Sequence, residues 1–245
     1  MNTTKGSSRG TSRKTATIVG VLFIIGTGAG VPSMVLGTRF LNAPDPLNMV
    51  AANASQVALI GFLVLLMGVA LAMVPAMMFP MLKRQNEALA VGYVIFRGAL
   101  ETFTYMGLAL CWLLLPVVAL QSAGSGAAVA SLYSSLGKLL VEARYPITAI
   151  QDIVFPLGAL MFYYLLYQAR LIPRWLSGWG FVGAISYLAT GLIAVFTGTH
   201  LVPLLLPLGL QEMVMAVWLI VKGFNPSAVA SLSAKTATNE LLSAA

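Results

Sequence analysis

Residues 55–81 read SQVALIGFLVLLMGVALAMVPAMMFPM, a run with no charged side chain. As a helix at about 1.5 Å per residue it reaches about 40 Å, more than the roughly 30 Å hydrocarbon core of a bilayer. Outward from it, predominantly apolar windows recur at about 16–38, 89–120, 152–171, 178–198 and 201–222. The whole chain of 245 residues is 59% apolar and only 9% charged, with a mean hydropathy of +0.90. Soluble domains carry about 25% charged residues. The expected fold is therefore all-α: a polytopic membrane protein with a six-transmembrane-helix bundle. One domain covers 16–225, between polar, small-residue tails at 1–15 and 226–245.

Lys5, Arg9, Arg13 and Lys14 precede the first window, as in a signal peptide. The apolar run is about twice the usual length and lacks a convincing small-residue cleavage site before Arg39, so it reads as a retained span. Six crossings put both termini on one side. The N-terminal basic residues, Lys83, Arg84, Arg170, Arg174, Lys222 and Lys235 fall on that side, against Arg39, Lys138 and Arg144 on the other. The excess of positive charge predicts cytoplasmic termini. It also accounts for the net charge of +7 through topology and lipid headgroups, leaving no reason to invoke nucleic acid.

Residues 121–151 are too long for a tight turn. Val129, Leu132, Leu136, Leu139 and Leu140 lie opposite Ser134, Lys138 and Glu142 at helical spacing, which predicts an amphipathic interfacial helix between the third and fourth spans. Whether 126–145 lies on the membrane or enters it stays open. Arg174, Trp175 and Trp179, just after Pro173, form the expected interfacial anchor between the fourth and fifth spans.

Charges inside spans are rare and therefore informative. YVIFRGALETF, residues 93–103, places Arg97 and Glu101 one turn apart, and LQEMVMAVWLIVKGF places Glu212 mid-span. Measured from Val91 and Lys222, Arg97 lies about 9 Å deep, and Glu101 and Glu212 about 15 Å. An isolated charge at the bilayer centre costs about 2.5–3.5 kcal/mol on insertion scales, so these groups should face protein. If the third and sixth spans are neighbours, the guanidinium can fork between two carboxylates, with Gln211 adding a hydrogen bond. A clamp fixing helix register is the simplest role. Two carboxylates sharing one arginine also leave a site that could carry a proton or a ligand.

Asp152 is a secondary candidate, expected near the outer interface as a helix-start carboxylate or as a partner of Arg144 or Arg39. His200, in the outer turn GTHLVP, reads as a solvated residue, because one imidazole makes neither a metal site nor a triad. GWGFVG at 178–183 matches a dinucleotide fingerprint only literally, since no strand precedes it. Close helix packing or loop flexibility explains its glycines. Gly26 and Gly30 form a GxxxG pair that favours close approach within the bundle or across a homo-oligomer. Prolines 75, 80, 116, 156, 203 and 207 interrupt or flank spans, while no inverted repeat is visible. The single cysteine, Cys111, excludes an intrachain disulfide and a thiolate metal cluster, and leaves the redox compartment undecided. No metal or cofactor is expected.

Three stretches, FPMLKRQNEALAVGYVIFRGALE, FYYLLYQARLIPRWLSGWGFVGA and LPLGLQEMVMAVWLIVKGF, together resemble the DUF4386 family of bacterial multi-pass membrane proteins. Arg97, Glu101, Pro173, Arg174, Trp175, Gly180, Glu212, Trp218 and Lys222 match its characteristic positions. The resemblance implies a bacterial membrane location and a helical bundle, without an established activity. The functional expectation is a structural, interaction or regulatory membrane protein with a buried Arg–Glu–Glu cluster. The alternative is a small proton-coupled or cation transporter using Glu101 and Glu212. An intramembrane enzyme ranks third, because no HExxH, no second histidine and no activated nucleophile is present. The lipid bilayer is the expected partner, and no protein partner is specified.

Overall fold

The computed structural model describes the backbone of residues 3–199 and 201–243, and the side chains of 10–199 and 201–235. His200 and the side chains of Lys5 and Arg9 lie outside the described residues. The elements in order are α1 (Thr3–Leu41), α2 (Pro46–Ala52), α3 (Ala54–Leu82) and α4 (Glu87–Tyr93). A π-helical segment, Val94–Leu100, carries α4 without a break into α5 (Glu101–Ala123). There follow α6 (Ala127–Ala169), α7 (Arg174–Thr197), α8 (Val202–Val221) and α9 (Pro226–Ser243). Six helices are long and apolar enough to cross a membrane: α1 from Gly10, α3, the α4–α5 rod, α6, α7 and α8. They coincide with the six apolar windows of the sequence.

Connections between spans are short, so each span packs against the next, and α1 returns to close against α8. The result is a ring of six helices in chain order. Its outer surface carries Phe103, 78% exposed, and Phe196, 86% exposed, as suits a surface solvated by lipid. Small residues set the close approaches. A Cβ on Gly20 would sit 2.6 Å from the Ala216 carbonyl oxygen, so α1 and α8 nearly touch there. On the same helix Gly26 and Gly30 receive Leu71 and Met67 of α3. The GxxxG face is thus covered within the bundle.

Local chemistry starts the helices. Asn86 accepts a hydrogen bond from the Leu89 amide at 3.0 Å to cap α4. Asp45 accepts from the Asn48 amide at 3.1 Å to cap α2. At the opposite end of the molecule Arg13 reaches the last turn of α8, donating to the carbonyls of Ile220 at 2.6 Å, Val221 at 3.2 Å and Leu219 at 3.4 Å. A cation on the negative end of a helix dipole, satisfying orphan carbonyls, is worth about 1 kcal/mol at such an exposed site. Arg13→Gln should therefore lower the thermal midpoint of the detergent-solubilised protein by a few degrees, whereas Lys14→Gln should leave it unchanged.

Three segments differ from expectation. The amphipathic stretch after the third span is helical but not separate: α6 runs unbroken for 43 residues, about 64 Å, through Pro146 and Pro156. Neither proline ends the helix, so the stretch continues the fourth span. Its apolar Leu132 and Leu139 stay exposed, while Gly137 receives Leu47 of α2. The C-terminal segment is not a loose tail. Its α9 buries Ala228 and Leu232, and Ser233 accepts from Arg84 at 3.0 Å. A capping Asn225, whose side chain accepts from the Ser227 amide at 3.2 Å, marks where it starts. The N-terminal segment is likewise helical from Thr3.

Candidate functional site

The π-helical segment carries Arg97 into the interior of the ring. One extra residue per turn widens the helix, and such segments recur at functional sites. Two neighbouring glycine contacts accommodate it. A Cβ on Gly98 would lie 3.3 Å from Pro75 of α3, and one on Gly158 would lie 3.2 Å from the Arg97 backbone nitrogen. Any larger side chain at Gly158 would push α6 off this segment.

Arg97 is 2% exposed. Its Nη2 donates to Glu212 Oε1 at 3.2 Å, and its Nε lies 3.3 Å from Glu101 Oε2, an ion pair without hydrogen-bond alignment. The fork between two carboxylates expected from the sequence therefore forms. The route differs from the one expected, because the third and sixth spans lie on opposite sides of the ring, and the side chains meet across its interior. The guanidinium faces are covered by aromatic rings, with Cζ 4.4 Å from the Phe155 centroid and 5.7 Å from that of Phe23. Glu101, fully buried, accepts a further hydrogen bond from the Tyr105 hydroxyl at 3.0 Å. Glu212 keeps 13% of its side chain exposed.

Gln211 does not join the fork. Its Oε1 accepts from the Tyr163 hydroxyl at 2.6 Å and its Nε2 donates to the Leu176 carbonyl at 3.0 Å, tying α8 to α6 and α7. Adjacent residues on a helix point about 100° apart, so Gln211 and Glu212 serve different neighbours. Gly180 makes room for the Tyr163 ring, which a Cβ there would meet at 2.5 Å, and Gly183 lets the Leu208 backbone approach. These two glycines of GWGFVG are packing positions.

Asp152 corrects the expectation more strongly. It lies 25 residues past the start of α6, so it is not a helix-start carboxylate, and at 2% exposure it is enclosed by protein. The Tyr187 side chain of α7 lies close to it. Arg144, eight residues away and about 12 Å along the helix, stacks its guanidinium 4.2 Å from the Trp112 ring instead. At the basic end the anchor is divided. Trp175 is 57% exposed and edge-on to Trp218 at 6.5 Å, Arg174 lies over the Tyr167 ring at 5.0 Å, and Trp179 turns inward against the core.

The aromatic and tyrosine partners were not anticipated. Tyr93, Arg97, Glu101 and Tyr105 follow one another at four-residue spacing, a signal legible in the sequence. Phe23, Phe155, Tyr163 and Tyr187 come from other spans and carry no such signal. Among the described residues no group of three histidine, cysteine or acidic side chains could hold a metal ion.

Six apolar helices closed around a charged interior define a multi-pass helical membrane protein. The chain belongs to the DUF4386 family, a domain of unknown function, which matches residues 18–223 and so includes every residue of the interior cluster. No curated protein and no solved structure matches it.

Proposed function

We propose that this protein is a structural or interaction protein of the bacterial inner membrane, with cytoplasmic termini, in which Arg97, Glu101 and Glu212 form an internal clamp. The supporting observation is the reach of Arg97 across the ring to Glu212 while it is held by Glu101 on its own helix. That geometry fixes the rotation and depth of two helices which otherwise share no extended contact. The basic residues gathered at the end that holds both termini support the orientation. The test is replacement of all three charges together by apolar residues of similar volume. A clamp predicts a folded, monodisperse protein with its cellular phenotype intact, and loss of phenotype in a well-folded triple variant would count against it.

A second reading, proton-coupled or cation transport, draws on a different observation. The cluster sets two carboxylates, Glu101 and Glu212, against one guanidinium, and among the described residues the buried Tyr93 hydroxyl has no hydrogen-bond partner. Surplus carboxylates beside tyrosine hydroxyls are the chemistry a proton relay needs. Flux in proteoliposomes tests it: this reading expects loss of transport in Glu101→Gln and Glu212→Gln, and an unchanged rate rejects it.

A further inference from the structure

At the basic end, a cavity of about 500 Å³ opens between the α6–α7 turn, the first residue of α7, the end of α8 and the link into α9. Arg170, Arg174, Trp218, Lys222, Gly223 and Asn225 are among its walls, and no carboxylate lines it among the described residues. The described acids lie elsewhere. Glu101, Asp152 and Glu212 are in the interior, Asp45 and Glu142 border the cavity at the opposite end, and Glu87 starts α4.

Three cations therefore border one cavity with no described carboxylate to neutralise them. Arg170 and Lys222 make no side-chain ion pair or hydrogen bond with any described residue. Arg174 is steadied by the Tyr167 ring rather than by an acid. The α8 carbonyls that Lys222 might have capped are already taken by Arg13. The scaffold beneath is firm: Leu171 and Ile172 are buried, and the Asn225 amide donates to the Leu171 carbonyl at 2.9 Å. Arg170 itself holds a left-handed backbone, φ 52°, which non-glycine residues adopt rarely and chiefly where the surroundings enforce it.

We propose that this cavity binds the phosphate of an anionic phospholipid headgroup. A headgroup is favoured over a soluble phosphate because the cavity lies on the flank of a span. Trp175, Val217 and Val221 beside it are 57%, 55% and 62% exposed, an apolar surface along which acyl chains can lie. Tethering to the bilayer also holds the phosphate at the depth of the three cations. The assignment is independent of the role given to the interior cluster.

The test is native mass spectrometry of the full chain in mild detergent, titrated with phosphatidylglycerol, with phosphatidylcholine of the same acyl chains, and with inorganic phosphate as competitor. Arg170→Asn with Lys222→Gln removes two charges while asparagine tolerates the left-handed backbone. Lys222→Gln alone, at an exposed position, gives a second reading if the double variant folds poorly. The expected result is a preference for phosphatidylglycerol that falls about tenfold or more in the double variant, falls less in Lys222→Gln, and is unchanged in Lys138→Gln at the opposite end. Equal binding of phosphatidylcholine, or full retention of phosphatidylglycerol by the variants, overturns the proposal. Displacement of the lipid by millimolar inorganic phosphate assigns the cavity to a soluble anion and overturns it as well.

Discussion

Arg97→Met should destabilise the bundle by about 3–5 kcal/mol, the range found when one member of a buried ion pair is removed and its partners are left uncompensated. Glu101 and Glu212 would then lie in the interior without a counter-charge, with only the Tyr105 hydroxyl remaining on Glu101. In detergent this should appear as a large fall in thermal midpoint and in the monodisperse fraction on size-exclusion chromatography. Adding Glu101→Met and Glu212→Met should recover most of the loss, because the penalty comes from unpaired charge rather than from missing volume. Arg97→Lys should recover less. A lysine cannot span two carboxylates with a planar fork, and its compact ammonium fits less well between Phe155 and Phe23. A single Arg97→Met variant as stable as the parent would show that the cluster carries no clamping energy.

A comparable loss, about 3 kcal/mol or more, is expected from Gly191→Ala. A Cβ at Gly191 would stand 2.4 Å from the Asp152 carbonyl oxygen and 2.6 Å from its carbonyl carbon. Those are backbone atoms, which cannot rotate away as a side chain does, so α7 must separate from α6. Gly28→Ala is the matched control, since nothing lies within 4 Å of its added methyl. Removing a helix-interior glycine there should raise stability by up to about 1 kcal/mol. Thermal melts of both variants check the pair, and equal effects would refute the close approach of α6 and α7.

Much of this architecture is legible one residue at a time. The six spans follow from length and apolarity, because a bilayer admits little else of that composition. The paired charges of the third span stand out against 9% charged residues overall. The depth argument put Arg97, Glu101 and Glu212 in one layer because rise per residue is the same in every helix. Segment ends were less legible. The stretch before the fourth span and the α9 segment have weak amphipathic patterns, and whether such a helix stands free, docks or fuses with its neighbour depends on what it meets.

The sequence alone determined membrane class, span number and the mid-span charges Arg97, Glu101 and Glu212, because these depend on composition and on properties repeated along one helix. Rotation of the helices about their axes, and which spans face each other across the ring, were decided only in three dimensions. Helical periodicity says little when nearly every side of a span is apolar. Lipid and protein interior are then nearly equivalent solvents, and contacts such as Gly191 on Asp152 or Phe155 on Arg97 choose the orientation. That is why Gln211 turned away from the charge cluster beside it, and why Asp152, expected at the start of a helix, lies buried within one.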